Sequence, residues 1–342
     1  MGDLAVTAQA IVAPGKGILA ADESSGTIKK RFDSIGTEST ETNRRDYREL
    51  LFTAPDVSAF ISGVILFDET IHQKAAGGTP LVQILERQGI IPGIKVDAGA
   101  KPLPFAPGET VTEGLDGLRD RLQAYLGLGA RFAKWRATYT ITADLPSQYC
   151  IDVNAHALGR YAALCQEAGI VPIVEPEVLM DGDHIIERCE EATTAVLEAV
   201  FAQLFEQRVG LEGILLKPNM ILPGADCSAR ASSDEIAAAT LRCFRRAVPA
   251  AVPGIVFLSG GQSDEAATAN LDAMNKRKAA GEVVPWALSF SYGRALQSAA
   301  LHAWKGDAAN TDAARAAFAH RAHLNSEASR GSYSPEMETA GR

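Results

Sequence analysis

The segment Gly213-Ile214-Leu215-Leu216-Lys217-Pro218-Asn219 ends a short apolar run on a single lysine. An ammonium on an apolar surface loses hydration, which makes the neutral amine of a lysine easier to reach. A neutral amine adds to a ketone and forms an imine, a covalent electron sink. In isolation, a lysine snorkelling out of a strand end has the same appearance. The other strand ends decide between the two. Apolar runs end at Asp22-Glu23-Ser24, Asp68-Glu69, Lys95 with Asp97, Lys134 with Arg136, and Glu175-Pro176-Glu177. The remaining ends are Lys217 itself, Ser259-Gly260-Gly261-Gln262, and Ser289, Ser291 and Arg294. Strand alternation puts Lys134 and Arg136 on one face, and Glu175 and Glu177 on one face. Two glutamates near Lys217 suit imine chemistry, because dehydration of a carbinolamine needs an acid and later steps need a base. With two carboxyls close together, one is expected to be raised toward neutrality.

Other strand ends suit phosphate. The Ser259-Gly260-Gly261 turn offers backbone N–H groups that no side chain blocks, and Arg294 from the next strand end completes a cradle. Ser24, Thr27, Lys30, Arg31 and Lys95 form a second basic group. Lys29-Lys30-Arg31 also reads as a solvated basic patch.

Eight runs must position these residues: Gly17–Ala21, Ser62–Phe67, Ile91–Val96, Arg131–Arg136, Ile170–Val174, Gly213–Leu216, Pro253–Leu258 and Trp286–Phe290. Each is too short for a helix, and helical patterns lie between them. Glu191 to Gln207 has apolar residues at helical spacing, and Ser232-Ser233-Asp234-Glu235 forms a capping box before Ile236 to Val248. Arg294 to Lys305 and Asp312 to Leu324 are Ala-rich and free of Pro and Gly. The fold expected is α/β, a single (β/α)8 TIM barrel over residues 1–324, with a polar, mobile C-terminal tail over 325–342. Trp135, between Lys134 and Arg136, is expected to face outward onto helices.

The 342 residues, 46% of them hydrophobic, suffice for one large core. A net charge of -9 argues against bulk nucleic-acid or anionic-membrane binding, so an anionic substrate needs a local basic pocket. Five scattered cysteines without a CxxC pair read as reduced thiols. There is no secretory signal pattern and no apolar stretch near the roughly 20 residues of a membrane span, so a cytoplasmic protein is expected. The six histidines share no strand-end placement, and neither a metal site nor a cofactor is expected.

The ordered motifs Gly15–Ser24, Gly63–Phe67, Gly93–Asp97, Phe132–Arg136, Val171–Glu177, Leu215–Met220, Phe257–Gln262 and Phe290–Ala295 together resemble the class I, Schiff-base-forming fructose-bisphosphate aldolases. The resemblance runs from about residue 11 to about residue 335. It implies that Lys217 forms the Schiff base, Glu175 is the principal acid/base, and Glu177 supports dehydration. It further implies that Lys134 polarises the imine and Asp22 assists proton removal from the hydroxyl at the breaking bond. Ser259, Gly260, Gly261, Ser291 and Arg294 would hold one phosphate; Ser24, Thr27, Arg31, Arg44, Lys95 and Arg136 would serve the other end. A phosphorylated sugar substrate, a homotetramer and a glycolytic and gluconeogenic role in the cytoplasm are implied as well. Thr27 stands where serine is common, and the sequence ends without the terminal tyrosine that assists proton exchange in well-known members. Two other readings stand beside this one: transaldolase-like chemistry on a monophosphate, and a binding scaffold that has lost catalysis.

Overall fold

The computed structural model describes residues 2–339. Its ten strands are β1 Gly17–Ala21, β2 Ile61–Leu66, β3 Ile91–Lys95, β4 Ala100–Pro102, β5 Thr110–Thr112, β6 Phe132–Tyr139, β7 Val171–Val178, β8 Leu215–Leu216, β9 Gly254–Phe257 and β10 Ala287–Tyr292. All eight expected runs contribute a strand. Eight parallel strands close into a barrel in the order β1-β10-β9-β8-β7-β6-β3-β2, with helices outside, a (β/α)8 TIM barrel. The antiparallel pair β4-β5 is an addition after β3 that the run pattern does not predict.

One alternation organises the interior. Ile18, Ile65, Phe132, Val171, Ile173, Leu215 and Val256 fill the barrel as one apolar cluster, joined by Leu4, Ala8 and Ile11 of the helix Gly2–Ile11. Two residues further along the same inward faces stand the ionisable groups: Lys134 after Phe132, Glu175 after Ile173, and Lys217 after Leu215. The apolar plug therefore lies directly beneath the polar end. Phe132 fits only because Gly93 carries no side chain, since a Cβ there would lie 2.2 Å from the Phe132 ring.

Trp135 faces the other way, as its position between two inward residues requires. It is fully buried and packs on Tyr161 of the helix Gln148–Glu167, ring centroids 5.6 Å apart. The capping box at Ser232 and Glu235 is formed and opens the helix Ser233–Ala247. All five cysteines are buried free thiols.

The tail boundary after Leu324 needs correction. The helix Thr311–Arg330 continues through Asn325 and Ser326, both fully buried. Their polar groups are satisfied inside the fold: Asn325 accepts from Thr268 Oγ1 at 2.9 Å, and Ser326 Oγ donates to the Gly15 carbonyl at 2.6 Å. A polar composition thus belongs to a packed helix, with Gly331 in the left-handed region just after it. Tyr333 is buried too, its hydroxyl donating to Glu338 at 2.8 Å. Residues 340–342 of the expected tail lie outside the described residues.

Trp135→Ala should lower unfolding free energy by about 3–5 kcal/mol, the usual range for emptying a buried aromatic site. A urea midpoint unchanged from wild type would show that the outward packing of Trp135 does not support β6.

Candidate active site

A cavity of about 760 Å3 opens where the inward faces turn polar. Asp22 follows β1 and Lys217 follows β8; the Lys217 backbone N–H donates to the Val174 carbonyl at 2.8 Å, which extends the ladder by one residue and fixes the lysine. Lys134, Glu175 and Lys217 are each 4% exposed or less. Their charges alternate. Lys217 Nζ lies 3.1 Å from Glu175 Oε1, Lys134 Nζ lies 3.3 Å from Glu175 Oε2, and Lys134 Nζ lies 2.7 Å from Asp22 Oδ2.

The electrostatics correct one expectation. Burial alone pushes Glu175 upward, but Lys134, Lys217 and Arg136 outweigh it, and the carboxyl titrates below its ordinary range. Asp22 behaves in the same way: burial opposes the charge, while Lys134 and Lys217 hold the carboxyl well below the usual carboxylate range. Lys134 gains from both carboxylates what burial takes away, so its ammonium is strengthened. Glu177 does not act as the like-charged neighbour that would raise Glu175, because it is paired with Arg136 Nε at 2.5 Å. Two cations thus meet Glu175 before the second carboxylate can.

On the β9 and β10 side, Gly260 and Gly261 have φ of +56° and +92°, a conformation that opens successive N–H groups toward an anion. A Cβ on Gly261 would lie 3.4 Å from an Arg294 terminal nitrogen, so the guanidinium rests against the turn. Ser259 and Ser291 line the same wall, and Ser291 Oγ is buried with no protein partner. Ser24, Thr27, Lys30, Arg31, Lys95 and Arg136 also line the cavity. Lys29, by contrast, faces solvent in an ion pair with Asp33, so the basic patch divides between cavity and surface.

Two expected placements change. Arg31 lies against the other cluster: its Nη2 is 3.4 Å from where a Cβ of Gly293 would stand, next to Arg294. Arg44 does not line the cavity; its fork is taken by Glu69 and its Nη1 donates to the Ser39 carbonyl at 2.6 Å. Tyr333 is likewise absent from the lining. Glu23, Met180, Asp181 and Ala225 line the cavity without having been singled out as site residues. Glu23 carried a signal, standing at a strand end; the others lie on the loops after β7 and β8, whose pairing through Ala225 N–H to Met180 carbonyl at 2.7 Å is visible only in three dimensions. Among the described residues, no three His, Cys, Asp or Glu side chains are grouped to hold a metal ion.

The cavity thus sets a lysine amine in contact with a buried carboxylate, between two clusters of cationic, hydroxyl and glycine residues. Comparison with known proteins gives the family. The family model described as fructose-bisphosphate aldolase class-I matches residues 3–342. The chain belongs to that family. It is therefore a carbon–carbon lyase. It is 60% identical over 304 residues to a probable fructose-bisphosphate aldolase class 1 of Xanthomonas campestris pv. campestris, covering 89% of this chain and 90% of that one. It is 53% identical over 336 residues to fructose-bisphosphate aldolase 4, cytosolic, of Arabidopsis thaliana, covering 98% and 85%. The fructose-bisphosphate aldolase of Plasmodium falciparum, solved in a ternary complex with TRAP and a small-molecule inhibitor, superposes with a TM-score of 0.95 at 50% identity, covering 97% of this chain and 95% of that one.

For this aldolase-family chain, the turn at Gly261 makes a direct test of the phosphate wall. A Cβ there would meet Met180 Sδ at 3.1 Å and crowd Arg294, from a φ that side chains rarely adopt. Gly261→Ala should raise KM for fructose 1,6-bisphosphate and the inhibition constant of inorganic phosphate by about tenfold, equivalent to about 1.4 kcal/mol. Unchanged values for both would remove the turn from the site.

Proposed function

We propose that this lyase cleaves fructose 1,6-bisphosphate reversibly to dihydroxyacetone phosphate and glyceraldehyde 3-phosphate through a Schiff base on Lys217. The observation that carries this is the 3.1 Å contact between Lys217 Nζ and Glu175 Oε1 at the floor of the cavity. Attack on the ketone needs the unprotonated amine, and Glu175 is the group in reach to receive its proton. That transfer turns an ionised carboxylate into the acid the next step needs. The carbinolamine then loses its hydroxyl as water, with Glu175 supplying the proton and Glu177 supporting the dehydration. Lys134, held by Asp22 and Glu175, places a fixed positive charge beside the imine.

Bond cleavage follows when Glu175, again a carboxylate and assisted by Asp22, takes the proton from the hydroxyl on the carbon at the breaking bond that becomes the aldehyde. The electron pair of that bond flows into the iminium, giving an enamine and the free aldehyde. Glu175 returns a proton to the enamine carbon, and water hydrolyses the resulting imine to release dihydroxyacetone phosphate and the amine.

Two phosphates are favoured by cations on opposite sides of the barrel: Arg294 after β10, beside the turn after β9, and Lys95 with Arg136 on β3 and β6. Arg31, Lys30, Ser24 and Thr27 lie on the β1 side between them. This arrangement and the relatives' names support the bisphosphate over a monophosphate sugar, and the intact Lys217, Glu175 and Asp22 speak against a scaffold. A homotetramer working in glycolysis and gluconeogenesis in the cytoplasm completes the proposal, supported by the family resemblance and by a relative named as cytosolic. Among the described residues, no helix is long and apolar enough to cross a membrane.

Borohydride added with dihydroxyacetone phosphate should trap a secondary amine, and mass analysis should place it on the peptide carrying Lys217. Lys217→Met should abolish that adduct and lower kcat by about four orders of magnitude, the loss of a covalent route. Trapping at wild-type level in the variant would overturn the assignment. Activity should also persist in EDTA; loss on chelation with recovery on adding zinc would point to a metal-dependent aldol mechanism instead.

A further inference from the structure

Behind the cavity wall runs a row of alternating charges that the reaction steps leave unused. Arg31 Nη1 contacts Glu23 Oε1 at 2.5 Å. Glu23 Oε2 lies 3.8 Å from Arg48 Nη2, and Arg48 Nη1 lies 3.7 Å from Glu69 Oε2. Glu69 in turn grips Arg44. Arg48 sits at the centre and is 1% exposed; its Nη2 also donates to the Glu23 carbonyl at 3.1 Å. Its Nε and Nη1 have no hydrogen-bond partner, so the two carboxylates are what answer its buried charge. The row crosses four elements: the segment after β1, the helix Ser25–Asp33, the helix Glu41–Phe52 and the helix Asp68–His72. Glu23 is gripped from a fifth, since Gln297 Nε2 donates to its Oε1 at 2.8 Å from the helix that Arg294 opens.

We propose that Arg48 is a positioning residue for substrate binding: it fixes Glu23, and Glu23 holds the Arg31 guanidinium on the cavity wall beside Gly293 and Arg294. This rests on the reading of Arg31 as a phosphate-binding group. Held in this way, Arg31 has its direction set before substrate arrives, which lowers the ordering cost of binding. A phosphate replaces Glu23 as its partner without the arginine having to be found. Removing Arg48 leaves Glu23 with fewer anchors and Glu69 with only Arg44. Arg31 then follows Glu23 away from the wall.

The test is a double-mutant cycle on the full-length enzyme with fructose 1,6-bisphosphate, using Arg31→Ala, Arg48→Met and the pair. Arg31→Ala should raise KM about tenfold and Arg48→Met about fivefold, with kcat within about twofold of wild type in each. Because Arg48 acts through Arg31, the double variant should show the KM of Arg31→Ala alone. Arg48→Lys, which has one point charge in place of a fork, should restore KM only in part. Glu69→Gln removes the second anchor and should move KM in the same direction, which serves if Arg48→Met does not fold. If the effects of Arg31→Ala and Arg48→Met multiply, or if Arg48→Met and Glu69→Gln leave KM unchanged while Arg31→Ala raises it, the positioning role is overturned and the phosphate role of Arg31 stands. If Arg31→Ala itself leaves KM unchanged, both are overturned.

Discussion

The ammonium of Lys134, lodged between Asp22 and Glu175, is the interaction on which the rest of this site depends. Two carboxylates and two ammonium groups are buried together at the end of an apolar barrel. Each alone would be expelled or neutralised, because an unpaired charge in such surroundings is strongly destabilising. Strung as Asp22, Lys134, Glu175 and Lys217, each charge has an opposite neighbour within 3.3 Å. The string keeps Glu175 ionised and in contact with Lys217. An ionised carboxylate there is a base first and an acid afterwards. This order matches what imine formation demands, since the amine must lose a proton before water can leave.

Strand alternation explains why the string exists at all. The same inward face that carries Phe132 carries Lys134 two residues later, and Ile173 is followed by Glu175 in the same way. A barrel needs apolar side chains to fill its middle, and only its last layer is free to differ. Chemistry is therefore confined to a thin layer resting on a packed floor, where side chains have little room to reorient. Glycines at Gly93 and Gly261 serve the two levels separately, one admitting the Phe132 ring and the other letting Arg294 rest against the turn after β9.

Much of this was legible in the sequence because it depends on local spacing. The eight strands, the strand-end lysine, the inward pairs and the outward Trp135 all follow from a period of two. What escaped depends on which distant residue arrives first. Arg44 and Arg31 look alike in sequence, yet Glu69 captures Arg44 outside the cavity while Glu23 holds Arg31 inside it. The Glu175 shift runs opposite to what its sequence neighbour suggests for the same reason: Glu177 is claimed by Arg136, and the neighbours of Glu175 in space are lysines. Asn325 and Ser326 read as tail because nothing nearby in sequence reveals that Thr268 and Gly15 receive them.

The most direct test of the account is the charge state of Glu175 itself. Carbon-13 labelling of glutamate carboxyls, with Glu175→Gln to assign the signal, follows its titration by NMR in the free enzyme. The charge string predicts a carboxyl that stays ionised throughout the neutral range and down to its lowered pKa, and that moves upward in Lys134→Met once burial is no longer outweighed. A Glu175 signal titrating near neutrality in the wild-type enzyme would contradict the string, and with it the order of proton transfers built on it.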